Sequence, residues 1–154
     1  MIKLFGTVIG LSFILITSST KTLACPLALP TAAISIKGHT LTVELAATPA
    51  ARGCGLSHRE ELPQNQGMLF IFPEAGPQTF WMKDTRIPLS IAFLDDSGKI
   101  INIQDMVPMQ TDVRYHSSGP AKYALEVNQG WFKRNGIEAG DRVAMELPLV
   151  IDIK

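Results

Sequence analysis

The stretch 67–88, GMLFIFPEAGPQTFWMKDTRIP, contains two short apolar segments separated by a turn. Residues 68–72 have the length and the aromatic and branched content of a buried strand, and Pro73 is expected to end it. The EAGP sequence that follows is typical of a turn, because glycine tolerates positive φ and proline fixes its own φ. Residues 79–82 then predict a second strand, so this stretch favours a β-rich fold.

Further short strands and two short helices are predicted on either side. Residues 32–44 alternate apolar and polar side chains around Gly38-His39, as in a hairpin with one buried face. Thr48-Pro49 is typical of a helix start, with a hydroxyl cap before proline. The other predicted elements are strands at 89–94, 100–107, 123–127, 142–147 and 149–153, a loop at 108–120 and a helix at 131–134. We expect a mainly β protein, a compact β-sandwich or jelly-roll-like barrel with two short helices.

Length and charge place limits on the class of protein. A chain of 154 residues predicts one domain, and 46% hydrophobic with 18% charged residues is ordinary for a globular protein. Lys plus Arg and Asp plus Glu number 14 each, so no net positive field attracts nucleic acid. A basic nucleic-acid-binding protein is therefore not expected.

The first 24 residues have the pattern of a secretory signal. Lys3 precedes an uncharged apolar run at 4–16, and small residues precede a predicted cleavage after Ala24. The apolar run is shorter than the ~20 residues of a spanning helix, although a retained N-terminal anchor is the alternative. We therefore expect a signal peptide at 1–24, a flexible lead-in at 25–31 and a single β domain at 32–154. The mature chain would be periplasmic or secreted, without a transmembrane segment and with a formal charge of −2.

The two cysteines, Cys25 and Cys54, allow three interpretations. An exported chain with an even number of cysteines fits one disulfide, and two free thiols are the second possibility. Cleavage before Cys25 would instead create the N-terminal cysteine of a lipoprotein, which is the less favoured interpretation because Thr22 stands where an aliphatic residue is usual. Neither cysteine lies in a C-x-x-C pair, so redox catalysis has no support.

No recognised catalytic motif is present. The chain has no P-loop, no dinucleotide glycine fingerprint, no G-x-S-x-G and no H-E-x-x-H. The polar residues that best fit a ligand-binding site are Arg59, Trp81, Lys83, Asp84, His116, Glu126 and Asp141. The structural alternatives are an ion pair between Arg59 and Glu126, a turn at Asp141 and a solvated strand end at Lys83-Asp84.

No cofactor is predicted, and one weak metal hypothesis remains. Met82, Met106 and Met109, with His116 nearby in sequence, are soft ligands that suit Cu(I). The alternative is that methionine fills irregular gaps in the core.

Several motifs in order resemble the DUF192 family, also called UPF0127. They extend over about 36–147, and they are Gly55-Leu56-Ser57-x-Arg59, Leu62-Pro63, Gly67-Met68-Leu69-Phe70 with Phe72, Phe80-Trp81-Met82-Lys83, Ile87-Pro88-Leu89 with Ile91, Tyr123-x-Leu125-Glu126, Gly130-Trp131 and Gly140-Asp141. The resemblance implies a compact β-rich domain, often behind a signal peptide, and it implies no reaction. Asp84 departs from the family, which more often has Asn there, and this changes the hydrogen bonds available to a ligand.

Three functional hypotheses follow. The leading one is a non-enzymatic, exported binding module for a small molecule or glycan, with a groove around Trp81, Lys83 and Asp84. The second is a hydrolase-type enzyme that uses His116 or Glu126 as general base. The third is a structural or interaction protein, in which the partner would be another envelope protein.

Overall fold

The computed structural model describes residues 24–148 and 153–154. Nearly all of the predicted signal peptide and most of the strand predicted at 149–153 lie outside the described residues. Within the described residues, no helix is long and apolar enough to cross a membrane.

The described part of the chain forms nine strands and two short helices. In chain order these are β1 (Thr31–Ile36), β2 (His39–Ala46), α1 (Pro49–Cys54), β3 (Gln66–Gly76), β4 (Thr79–Phe80), β5 (Leu89–Leu94), β6 (Ile100–Met106), β7 (Tyr115–His116), β8 (Ala121–Asn128), α2 (Trp131–Arg134) and β9 (Val143–Met145). The predicted mainly β fold with two short helices is confirmed, and the large sheet curls into a half-barrel.

Seven strands form this sheet in the order β6-β5-β8-β3-β2-β1-β9, and β4 pairs with β7 in a separate ribbon. Neighbouring strands are antiparallel except β2 and β3, which are parallel. A parallel pair needs a long connection, and α1 with the loop after it provides that connection. This crossover carries residues 49–65 over one face of the sheet.

The sheet is buried on both faces, which explains its long apolar segments. All six residues of β5 are buried, as expected for a strand covered on both sides. On one face, Leu69 and Val127 pack with Trp131 and Phe132 of α2. The opposite face carries a second core, whose buried members include Leu56, Leu62, Met68, Phe70, Met82, Leu89, Ile91 and Phe93.

Both helices begin where local sequence predicts. The side chain of Thr48 accepts a hydrogen bond from the Ala51 amide at 3.2 Å, and Pro49 is the first residue of α1. Gly55, with φ of 51°, ends it. The helix predicted at 131–134 is α2, and both helix predictions are confirmed.

Several strand boundaries differ from the prediction; for example, the strand predicted at 142–147 is β9, which covers only Val143–Met145. β3 does not end before Pro73 but runs to Gly76. Proline is tolerated there because regular pairing with β8 stops at Ile71 and resumes only at Gly76, so no ladder hydrogen bond requires the missing amide proton. The strand predicted at 79–82 is shorter, because β4 contains only Thr79 and Phe80. The loop predicted at 108–120 contains β7.

The lead-in at 25–31 is held against the second core at several points. Cys25 forms a disulfide with Cys54, with 5.5 Å between their Cα atoms. Leu27 and Leu29 pack against the second core. The carbonyl of Pro30 accepts a hydrogen bond from the Leu45 amide at 2.8 Å. The flexibility expected for this segment stays a prediction.

Candidate functional site

Glu126 is a buried carboxyl group at the centre of the large sheet. It lies on β8, opposite Met68 on β3 and Ile91 on β5, and only 5% of the residue is exposed. No described residue forms a hydrogen bond or an ion pair with its side chain. Because burial disfavours the charged form, the pKa of Glu126 is raised to about 8. At neutral pH this side chain is therefore mainly a neutral acid, which can donate as well as accept a hydrogen bond.

A small cavity of about 220 Å³ opens above Glu126. Its walls come from the end of α1 with the loop that follows it, and from the segment after β4. The exposed side chains of His58, Trp81 and Lys83 lie at its mouth, with Asp84 half-buried beside them. The cavity therefore joins a polar mouth to a buried acid, and we call it the Glu126 cavity.

Two residues that line this cavity, His58 and Asp84, have a left-handed backbone conformation, and so does Met109, which bonds to the adjacent Thr85; Lys37 and Asn65 adopt it elsewhere. His58, Asp84 and Met109 have φ of 61°, 55° and 60°, a left-handed conformation that is uncommon for residues other than glycine. The His58 amide donates to the Asp84 carbonyl at 2.8 Å, and the Met109 amide donates to the Thr85 carbonyl at 2.9 Å. Strained residues of this kind occur preferentially at functional sites. The left-handed conformation also explains why position 84 suits Asp or Asn, since both tolerate it.

Trp81 holds two cations at the mouth of the cavity. Its side chain is 47% exposed, and the Lys83 Nζ and Arg114 Cζ atoms lie 5.4 Å and 4.8 Å from the centre of an indole ring. Cations are attracted to the negative face of an aromatic ring. The ring therefore positions positive charge at the mouth, in addition to offering a flat apolar surface.

Arg59 is part of a different polar pair. Its guanidinium donates to both carboxylate oxygens of Glu44, at 2.5 Å and 2.8 Å, and this contact raises the pKa of Arg59. The ion pair considered between Arg59 and Glu126 is therefore wrong. Glu44 lies on β2, two strands away from Glu126 on the same face, and it accepts hydrogen bonds from the two terminal nitrogens of the guanidinium. The Nε atom of Arg59 is buried without a hydrogen-bond partner.

His116 and Asp141 do not line the Glu126 cavity. His116 lies on β7, where its Nδ1 is 3.1 Å from the Thr79 hydroxyl. Asp141 forms an ion pair with Lys37 at 2.9 Å and accepts a hydrogen bond from the Glu138 amide. The amide and the Lys37 ammonium hold the pKa of Asp141 below its usual range. Of the seven candidate residues, the structure brings together Trp81, Lys83, Asp84 and Glu126.

The three methionines named as soft-metal candidates do not form one surface. Met82 and Met106 are buried in the second core, whereas Met109 is 51% exposed. Within residues 24–148 and 153–154, no group of three His, Cys, Asp or Glu residues is placed to hold a metal ion.

Sequence reasoning missed several contributors to the cavity, among them His58. The Cys25–Cys54 disulfide and Ser57 form part of the wall, and so does Arg52. The Arg52 guanidinium is already used, because it donates to the carbonyls of Ala47, Ile71 and Lys154. The available signal was Gly53-Cys54-Gly55, where a Cβ atom at Gly53 would meet nothing within 4 Å, next to a cysteine.

The comparisons with known proteins agree with this fold. A protein of Sinorhizobium meliloti 1021, described as a candidate transcription regulator, is 36% identical, with a TM-score of 0.74 over 78% of this chain and 97% of that one. A protein of unknown function from Novosphingobium aromaticivorans is 32% identical, with a TM-score of 0.73 over 82% of this chain and 93% of that one. No curated protein matches this chain. The family model DUF192, described as "Uncharacterized ACR", matches residues 32–145, and the chain therefore belongs to the DUF192 family.

Proposed function

We propose that this protein is an exported, non-enzymatic binding module that takes a small polar molecule in the Glu126 cavity. The observation that carries the proposal is the buried Glu126 side chain, which faces the cavity and has no hydrogen-bond partner among the described residues. An unpaired buried polar group costs stability. A ligand that bonds to this acid would remove that cost.

The shape of the cavity supports a small ligand. Its volume of about 220 Å³ is below the ~300 Å³ at the lower end of ordinary drug-sized pockets. Trp81 and Phe80 offer apolar surface, while Lys83 and Asp84 offer one charge of each sign. Polar groups placed around an aromatic side chain are suited to orienting a ligand.

The Cys25–Cys54 disulfide supports the proposed export. Disulfides persist in oxidising compartments such as the bacterial periplasm, and they are rare in the cytosol. The bridge also uses the sulfur atom that a lipoprotein would acylate. We therefore propose a periplasmic or secreted protein rather than a lipoprotein.

Thermal unfolding against a panel of sugars, polyols, free amino acids and amines tests the proposed function. A ligand at 100 times its dissociation constant adds about 2.7 kcal/mol to the unfolding free energy and raises the midpoint by roughly 3–5 °C. We expect such a shift in the wild type and its loss in Trp81→Ala and Glu126→Leu. His116→Ala is the matched control, because His116 lies outside the cavity. A shift that survives both cavity substitutions would contradict the proposal.

A second candidate function is supported by the raised pKa of Glu126. A carboxyl group with a pKa of about 8 is protonated near neutral pH, as a general acid must be, and it is a stronger base once ionised. An enzyme of this kind would hydrolyse a small ester or glycoside, and its rate would change with pH around 8. Glu126→Gln would abolish turnover. Turnover that Glu126→Gln does not change would exclude this candidate.

A further inference from the structure

The groups around Glu126 restrict which chemical class fits the proposed cavity. The charged or titratable side chains that line it besides Glu126 are Arg52, His58, Lys83 and Asp84, with Arg114 on the Trp81 ring at the mouth, and Glu44 with Arg59 lies on the same face of the sheet beyond Met68. None of these side chains bonds to Glu126. The inner end of the cavity is therefore a lone carboxyl group without a counter-ion.

The Glu126 carboxyl group could face a neutral, a cationic or an anionic group of a ligand. A neutral acid can donate its proton to a hydroxyl or carbonyl oxygen, and neither partner then carries a charge. A cationic amine would instead form a buried ion pair, which requires both ions to leave water and needs further hydrogen bonds for the remaining ammonium protons. A ligand carboxylate would be placed next to the acid with no cation at the inner end. Because the inner end of the cavity is buried, a hydrogen bond between the neutral acid and a neutral ligand oxygen is favoured over either charged alternative.

The side chains at the mouth of the cavity also suit a neutral, polar ligand. Lys83 and Asp84 place a donor beside an acceptor, and Arg114 on the Trp81 ring adds a second donor. A hydroxyl group can accept a hydrogen bond from Lys83 and donate one to Asp84. The Trp81 ring adds a flat apolar surface beside them. The volume of about 220 Å³ holds roughly seven water molecules, which is the size range of a polyol or a single sugar ring.

We infer that the ligand is a neutral molecule rich in hydroxyl groups, a monosaccharide or polyol, whose inner oxygen accepts a hydrogen bond from the protonated carboxyl group of Glu126. This inference rests on the proposed function, and it adds the class of ligand. It also assigns a direction to the pH dependence. Ionisation of Glu126 removes the donor and leaves a carboxylate facing the oxygen, so affinity falls as the pH rises through about 8.

Matched ligands test the inference in the exported protein. Titration calorimetry with glucose and xylose is compared with glucosamine, which adds an ammonium, and with gluconate, which adds a carboxylate. At pH 6.5 we expect a neutral sugar to bind at least about tenfold more tightly than either charged analogue, a difference of about 1.4 kcal/mol. Between pH 6.5 and pH 9 its affinity should fall by about tenfold, since a group with a pKa of about 8 is then mostly ionised.

Two substitutions of Glu126 separate donor chemistry from folding. Glu126→Gln keeps a donor of similar shape, so sugar binding should persist and its dependence on pH should disappear. Glu126→Leu should abolish binding, and circular dichroism checks that it folds. Glu74→Gln, at an exposed acid outside the cavity, should behave as the wild type does.

The outcomes distinguish this inference from the proposed function. Tighter binding of glucosamine or gluconate, lost in Trp81→Ala, would overturn the neutral class and leave the binding module standing. Sugar binding with no pH dependence in the wild type would overturn the role of Glu126 as donor. Failure of every member of the set to bind would overturn the inference, and the wider panel above would then decide the proposed function.

Discussion

Glu44 and Glu126 lie on the same face of the large sheet, on opposite sides of Met68, and only Glu44 has a cationic partner. Glu44 is opposite Met68 in the parallel pair, and Met68 is opposite Glu126 in the antiparallel pair. Arg59 binds both oxygens of Glu44, whereas Glu126 is left to the cavity. Two glutamates on one face are thus in opposite electrostatic environments, and each gives a separate prediction.

The first prediction concerns stability and pH. The folded protein keeps the Glu126 proton up to about pH 8, whereas the unfolded chain releases it near pH 4.5. Between these values the folded state binds more protons, so the free energy of unfolding falls as the pH rises. At about 1.36 kcal/mol per pKa unit as an upper limit, the loss is on the order of a few kcal/mol. Urea unfolding at pH 5, 6.5 and 8 measures it.

Glu126→Gln removes the titrating group and should flatten this dependence. The stability of the wild type relative to Glu126→Gln should therefore decline from pH 5 to pH 8. Parallel curves for the two proteins would show that Glu126 ionises in the folded state as easily as in the unfolded chain. Glu74→Gln is the control, and it should follow the wild type.

The second prediction compares two ion pairs. The side chains of Arg59 and Glu44 are 18% and 22% exposed, whereas those of Arg86 and Glu60 are 58% and 74% exposed. Arg59→Ala leaves a partly buried carboxylate unpaired and should cost about 1–3 kcal/mol. Arg86→Ala should cost less than about 1 kcal/mol, because water screens an exposed pair.

Urea unfolding of both single variants makes this comparison. Adding Glu44→Ala to Arg59→Ala should recover part of the loss, since the unpaired charge is then removed. Equal costs for Arg59→Ala and Arg86→Ala would mean that burial does not strengthen the first pair.

The third prediction concerns the disulfide. Cys25 and Cys54 are 29 residues apart, and closing a loop of this length restricts the unfolded chain by about 3.6 kcal/mol in the loop-entropy treatment. The double variant Cys25→Ser with Cys54→Ser should be less stable by about that amount. The reduced wild type should match it. A reductant that leaves the unfolding midpoint of the wild type unchanged would argue against a bridge in the isolated protein.

The fourth prediction contrasts two glycines. A Cβ atom at Gly67 would lie 2.5 Å from the Glu126 carbonyl oxygen, closer than real Cβ atoms approach backbone. Gly67→Ala must therefore separate β3 from β8 and should cost about 1–3 kcal/mol. At Gly53, in α1, a Cβ atom meets nothing within 4 Å, so Gly53→Ala should stabilise by about 0.5–1 kcal/mol.

Thermal unfolding of both alanine variants checks the signs. The Gly67→Ala protein should also bind cavity ligands more weakly, because the shift displaces Glu126. If both substitutions raised the unfolding midpoint, or both lowered it, the proposed difference in packing between Gly67 and Gly53 would be contradicted.

Local sequence predicted the elements whose causes are local. The β1–β2 hairpin follows from alternating side chains around the predicted Gly38-His39 turn, although the turn itself is Lys37-Gly38, and α1 follows from Thr48 and Pro49. The strand order was not predictable, because pairing of β3 with β2 on one side and β8 on the other depends on distant segments. The passage of β3 through Pro73 depends in the same way on where its partner strand stops.

In the candidate site, too, some features follow from local sequence and others depend on tertiary structure. By itself the sequence determined that Trp81, Lys83 and Asp84 lie together, because adjacent residues in a short loop cannot separate, and that Glu126 lies on a strand. Only the tertiary structure decided that Arg59 pairs with Glu44 and that His116 and Asp141 lie elsewhere. It also decided that Glu126 is buried beneath a cavity, because register across three strands sets which face and which neighbours a side chain has.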